Sequence, residues 1–235
     1  MKKISRKSIQ TQLILYFTIA ILTPTIITSI IGTKFIYNQV ITRAENKSIS
    51  DLNSAREIYR NKISQIEYVT RLTAARSLIA ASLIARNSDT LQQDLYRTMT
   101  TEKLDLFTIV DKNGIVIARG RNPFIKGDTL LSDKFIYKVI SSGETVTGTD
   151  IVPSNELLKE SYELVERSHT NILPTPKAKG PKQKESTSGM MLKAAVPVFD
   201  RHKNLVGVLV GGILLNRNFE IVNKTVPGTN WDPVC

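Results

Sequence analysis

Residues 189–215 read GMMLKAAVPVFDRHKNLVGVLVGGILL. From Met190 to Phe199 the only charge is Lys193, the polar run 200–204 has turn composition, and residues 205–215 hold Val, Leu, Ile and Gly without a charge. As a helix, that last run would cover about 16 Å, far short of the roughly 30 Å of a bilayer core. Its glycines Gly207, Gly211 and Gly212 suit a strand packed closely against another backbone. The stretch therefore predicts a long hairpin, with residues 205–215 as the central strand of a sheet.

The chain upstream supplies the rest of that sheet. Residues 104–110, apolar but for Asp105 and Thr108, and the apolar 115–118 flank Asp111, Lys112, Asn113 and Gly114, which predicts two strands joined by a tight Asn-Gly turn. Ser132 and Asp133 offer a start for a helix over 134–140, which Ser142 and Gly143 end. Residues 145–152 are β-branched and strand-like, and Ser154 is positioned to cap a helix running to Arg167. Residues 171–188 carry three prolines and four lysines and read as a loop. Two strands, a helix, a strand, a helix and two strands predict an α+β module, an antiparallel sheet with helices on one face.

Nearer the N-terminus, residues 8–33 contain no charge. As a helix they would run roughly 39 Å, enough to span a bilayer with some tilt. Lys2, Lys3, Arg6 and Lys7 precede this run, whereas Lys34, Arg43 and Lys47 after it are diluted by Glu45, so the N-terminus is expected in the cytoplasm and the rest outside. No Ala-x-Ala follows, which favours an uncleaved signal anchor over a cleaved signal peptide, and Pro24 is tolerated in a membrane helix with a kink. Beyond it, residues 34–95 lack Pro and Gly. Leu52, Ala55, Tyr59, Ile63, Ile66, Val69 and Leu72 form a helical stripe that needs a partner, either a second subunit or the distal domain. Asn87 and Ser88 look like a break before a shorter helix over 89–100. The expected organisation is a basic tail (1–12), a transmembrane helix (13–33), a stalk helix (34–100), a sheet module (101–224) and a divergent tail (225–235).

The 235 residues carry a net charge of +11. Of this, +4 lies in the four N-terminal cations and +3 in the loop at 171–188, leaving +4 elsewhere, so the excess is mainly a topology signal and no nucleic-acid partner is expected. The single cysteine, Cys235, rules out an internal disulfide and a multi-cysteine metal site. No P-loop, dinucleotide-binding glycine pattern or His-Glu-x-x-His occurs, and His169 and His202 read as surface residues, so the chain is expected to be no enzyme and to need no cofactor or metal.

Three blocks taken in order, FTIVDKNGIVIARGRNP from Phe107, GMMLKAAVPVFD from Gly189 and LVGVLVGGILLNRNFEIV from Leu205, resemble the extracytoplasmic Cache sensor domains of bacterial membrane receptors. The resemblance runs from the anchor to about Thr225. It is strongest to the double, tandem type found in sensor histidine kinases and chemotaxis receptors. It implies a PAS-like fold on a long N-terminal helix outside the membrane, a homodimer through the stalk, a small-molecule ligand and signalling across the membrane. It also implies the front part of a receptor, ending after the first module. In related citrate- and dicarboxylate-sensing domains, cationic and hydroxyl side chains on the sheet and its loops hold ligand carboxylates. The matching positions are Arg119, with Arg121 and Asn122 beside it, and Lys193, which points to a carboxylate ligand. The alternative class is a membrane-anchored structural or adhesive surface protein. A pilin-like form would want an acidic residue early in the apolar segment, and residues 8–33 have none.

The residue types give an independent reason for these candidates. Arg119 and Arg121 place two guanidinium groups at a strand end, and arginine binds carboxylates through paired, charge-assisted bonds. The other reading pairs an arginine with Asp128 or Asp133, or turns it to solvent. Lys193 either points into the pocket or outward, and Tyr162 either reaches the pocket or sits on a helix surface. Met190 and Met191 read as core and pocket wall.

Overall fold

The computed structural model describes residues 9–172 and 185–218. The N-terminal cations, most of the loop predicted at 171–188 and the tail at 225–235 lie outside the described residues. The chain divides into two compact units, Met1–Ala55 and Arg56–Cys235. Helix α1 (Ile9–Ala74) supplies the described part of the first unit. Its N-terminal segment is long and apolar enough to cross a membrane. Leu13, Ile14, Phe17, Ile21 and Ile30 present their side chains outward, as a lipid-facing surface requires. The threonine hydroxyls along it donate to carbonyls one turn back, Thr23 to Ile19, Thr25 to Ile21 and Thr28 to Pro24. These bonds satisfy polar groups where a bilayer offers no water.

In the second unit α1 ends at Ala74, and α2 (Ser77–Ile84) and α3 (Ser88–Thr101) follow. The expected break at Asn87 is present, with the Asn87 side chain accepting from the Thr90 N–H at 3.2 Å as an N-cap. A second break, at Ala75 and Arg76, has no Gly or Pro to announce it. It reflects docking: Arg76 takes an extended backbone and bonds the Asp94 carboxylate on α3 at 2.9 Å.

The strands are β1 (Leu106–Asp111), β2 (Val116–Arg119), β3 (Val146–Val152), β4 (Thr170–Asn171), β5 (Glu185–Ser186), β6 (Gly189–Phe199) and β7 (Leu205–Leu214). Five form one antiparallel sheet in the order β2-β1-β7-β6-β3, and β4 pairs with β5 separately. β7 is the central strand, as its uninterrupted apolar run predicts. Its last eight residues are all buried because both faces of the sheet are covered.

Both long hairpins turn on an aspartate. Asp111 Oδ1 accepts from the Asn113 and Ile115 N–H groups, and Asp200 Oδ1 accepts from those of His202 and Asn204. The residue with positive φ is Gly114 in the first and Lys203 in the second, so each loop has three residues with a left-handed third position.

The remaining helices are α4 (Lys134–Ser142), α5 (Ser154–Glu160) and α6 (Tyr162–Ser168). Asp133 caps α4 by accepting from the Phe135 N–H at 2.8 Å, and Gly143 ends it with φ 70°. Two expectations need correction. The single helix from 154 to 167 is two helices, broken where Ser161 is fully extended; this lets Leu157 and Leu164 both reach the core. The helices also cover both faces of the sheet rather than one. The end of α1 with α2 and α3 packs around Phe107, Ile109, Leu192 and Leu209, while α4, α5 and α6 pack around Val110, Met191, Val208 and Leu214. The stalk stripe thus finds part of its partner in this sheet, since Ile66 and Val69 belong to the first of these cores. Met191 is buried core, but Met190, near the start of β6, is exposed.

Candidate ligand-binding site

Side chains alternate along a strand, and the register selects which ones share the face under α4 and α5. Thr108 of β1 pairs with Arg119 of β2 and with Val210 of β7, and Val210 pairs with Ala195 of β6. In the next row Leu106 and Lys193 flank Gly212, and Gly148 of β3 lies on the other side of Lys193. Of these, Leu106, Thr108, Arg119, Lys193 and Val210 line a cavity of about 330 Å³ whose other walls include Asp133 and Ile136 of the α4 start, Asp150 and Val152 of β3, and Glu156 and Glu160 of α5.

Arg119 and Lys193 therefore come together on one wall, and both are buried, at 1% and 3% exposure. Both are also paired within the protein. Arg119 donates to both oxygens of Asp128 at 2.8 and 3.0 Å, to Glu160 Oε1 at 2.8 Å and to the Ile125 carbonyl at 2.8 Å. Lys193 bonds the Asp133 carboxylate, lies 3.2 Å from Asp150, and sits 5.1 Å from the centre of the Phe135 ring. Arg121, Asn122 and Tyr162 are placed elsewhere. Arg121 joins the Asp105 carbonyl and Glu163, and the Asn122 amide donates to the Lys159 carbonyl at 2.9 Å, so both tie the segment after β2 to neighbouring elements rather than lining the cavity. Tyr162 is 73% exposed, at the start of α6.

Charge sets the character of this site. Burial, the largest influence on the Arg119 guanidinium, opposes its charge, but Asp128 and Glu160 outweigh it and hold the pKa above the ordinary value. The bond from Arg119, helped by Lys159, holds the Asp128 carboxyl down at about 2. Burial pushes the Glu160 carboxyl up, and Arg119 offsets this only in part. Asp150 goes down because Lys134 and Lys193 overcome its burial.

Asp128 ionises more readily in the fold than in the unfolded chain, so its stabilising contribution is complete above pH 3.8 and is lost as the pH falls towards 2. The urea midpoint of the wild type should exceed that of Asp128→Asn at pH 5. The gap should close by pH 2; a constant gap across this range would refute the assignment.

Glu160, Asp150 and Thr108 were not legible as site residues. The one signal for Glu160 is its place three residues after Leu157, on the same face of α5.

No protein-family model matches the chain, and no curated protein matches it in sequence. Among solved structures, it is similar to the sensor domain of the histidine kinase DctB from Vibrio cholerae, with a TM-score of 0.51 and 15% identity over 77% of this chain and 58% of that domain. The chain has the fold of that sensor domain. Two further solved structures are similar at lower scores, the periplasmic domain of V. cholerae LuxQ (TM-score 0.48, 18% identity, 76% of this chain and 69% of that one) and the E. coli DcuS sensor domain (0.42, 15%, 70% and 97%). Among the described residues no group of three or more His, Cys, Asp or Glu side chains is arranged to hold a metal ion.

Proposed function

We propose that the chain is the signal-input region of a bacterial transmembrane receptor with a histidine-kinase or chemotaxis output. A single N-terminal helix anchors it with the N-terminus in the cytoplasm, and a homodimer forms along that helix. The sheet domain lies outside and binds a small molecule in the cavity under α4 and α5. The observation that carries this reading is the placement of neighbouring residues of β7. Val210 lines the cavity, while Gly211 faces the other way, with no room for a side chain beside Thr70 of α1 and Phe107. A ligand that shifts the central strand therefore acts on the helix that leads to the membrane, through a close-packed contact that transmits small displacements.

A carboxylate ligand is supported by Arg119 and Lys193, which line the cavity. Against a simple anion stands the pairing of both groups with the protein's own carboxylates. The ligand that fits best adds to these pairs without replacing them. The test is thermal denaturation of the full chain in detergent micelles with small carboxylates, amino acids and amines. A ligand at a hundred times its Kd should stabilise by about 2.7 kcal/mol, a rise of roughly 5–10 °C in midpoint. The structural or adhesive alternative predicts no shift with any compound, and that outcome would end the sensory reading.

A further inference from the structure

The sensory reading leaves one buried group of a cavity-lining residue without a role, the second oxygen of Glu160. Glu160 is only 5% exposed and lines the cavity. Its Oε1 accepts from Thr108 Oγ1 at 2.9 Å and from Arg119 Nε at 2.8 Å. Its Oε2 is buried and has no hydrogen-bond partner among the described residues. Native folds rarely leave such an atom without a reason.

Charge matching around the cavity singles out the same residue. Arg119 and Lys159 are matched by Asp128 and Glu156, with Lys159 bonding Asp128 at 3.0 Å and Glu156 at 2.9 Å. Lys193 and Lys134 are matched by Asp133 and Asp150. Four cations meet four carboxylates, and Glu160 is the fifth acid, sharing Arg119 with Asp128. Resting on the sensory reading, we infer that the ligand is a small organic ammonium compound whose cationic nitrogen donates to Glu160 Oε2. One positive charge completes the matching, whereas a simple anion would leave Glu160 unmatched and add a second negative charge. Leu106, Leu130, Ile136, Val152 and Val210 offer the ligand's hydrocarbon part an apolar wall. Burial pushes the Glu160 carboxyl up in the absence of ligand, and the positive charge of an ammonium group set against it opposes that push and favours the ionised form.

The experiment is isothermal titration of the full chain in detergent micelles with n-butylamine and with butyrate, its carboxylate counterpart of equal length. The amine should bind and butyrate should not. Glu160→Gln keeps an acceptor for Thr108 and Arg119 but loses the charge, and should weaken n-butylamine binding roughly tenfold to a hundredfold. The unliganded melting curve of that variant reports whether it folds, and the contrast between the two compounds on the wild type decides the matter without it. Binding of butyrate in place of the amine, or equal amine affinity in a folded Glu160→Gln variant, overturns the inference and leaves the sensory reading standing. If neither compound binds and no carboxylate, amino acid or amine stabilises the wild type, both fail.

Discussion

Replacing Arg119 with alanine is expected to destabilise the sheet domain by about 3–5 kcal/mol even without ligand, because removing one partner of a buried ion pair leaves the others uncompensated. For a domain of this size that is a fall of roughly 6–20 °C in thermal midpoint. The guanidinium is 1% exposed and donates to Asp128, Glu160 and the Ile125 carbonyl. Its loss leaves the buried Glu160 carboxyl without its counterion, with the Thr108 hydroxyl as its remaining donor, and frees the segment between β2 and α4. Asp128 is partly open to water, so most of the cost falls on the Glu160 side. Arg119→Lys should recover only part of the loss, since one ammonium does not reproduce a planar fork that serves three acceptors. An arginine held in reserve for a ligand would leave unliganded stability unchanged. A melting curve of Arg119→Ala that overlays the wild type would therefore show that these bonds do not form, and the charge matching around the cavity would fall with them.

Gly207→Val should prevent the β1–β7 pairing, at a cost of about 3 kcal/mol or more, the upper end for overpacking. A Cβ at Gly207 would collide with the Val110 carbonyl oxygen and with a methyl of Leu83. The carbonyl belongs to the neighbouring strand and has no freedom to move, and Leu83 is fixed in the core beneath. Because β7 joins the two halves of the sheet, the loss is global rather than local. Far-UV circular dichroism and limited proteolysis of the full chain in micelles should show a lower midpoint and early cleavage in the sheet domain. Gly32→Ala serves as the control, since nothing lies within 4 Å of a Cβ there and alanine favours the helix. A Gly207→Val variant with wild-type stability would mean that β1 and β7 are not neighbours.

The parts of the fold legible in the sequence were those decided by residues a few positions apart. The hairpin at 111–115 follows from an aspartate that accepts from the chain two and four residues on, and from a glycine at the left-handed position. The start of α4 follows from the Asp133 cap, and its end from Gly143. The central place of β7 follows from a run too short for a membrane and too apolar for an edge. The break between α5 and α6 was not legible, because Ser161 has no intrinsic reason to extend; the packing of Leu157 and Leu164 on one core decides it.

For the site, the sequence determined the residue types and the strands that carry them, because Arg119 and Lys193 stand out as cations in apolar runs. Only the tertiary structure decided what they do. Arg119 meets Glu160 across 41 positions of chain, and Lys193 meets Asp133 across 60. Such partners are chosen by strand register and by the helix laid over the sheet, not by neighbouring residues. A buried charge costs so much unpaired that a fold must supply its counterion, but which carboxylate does so, and which oxygen is left over for a ligand, is a property of the packed molecule alone.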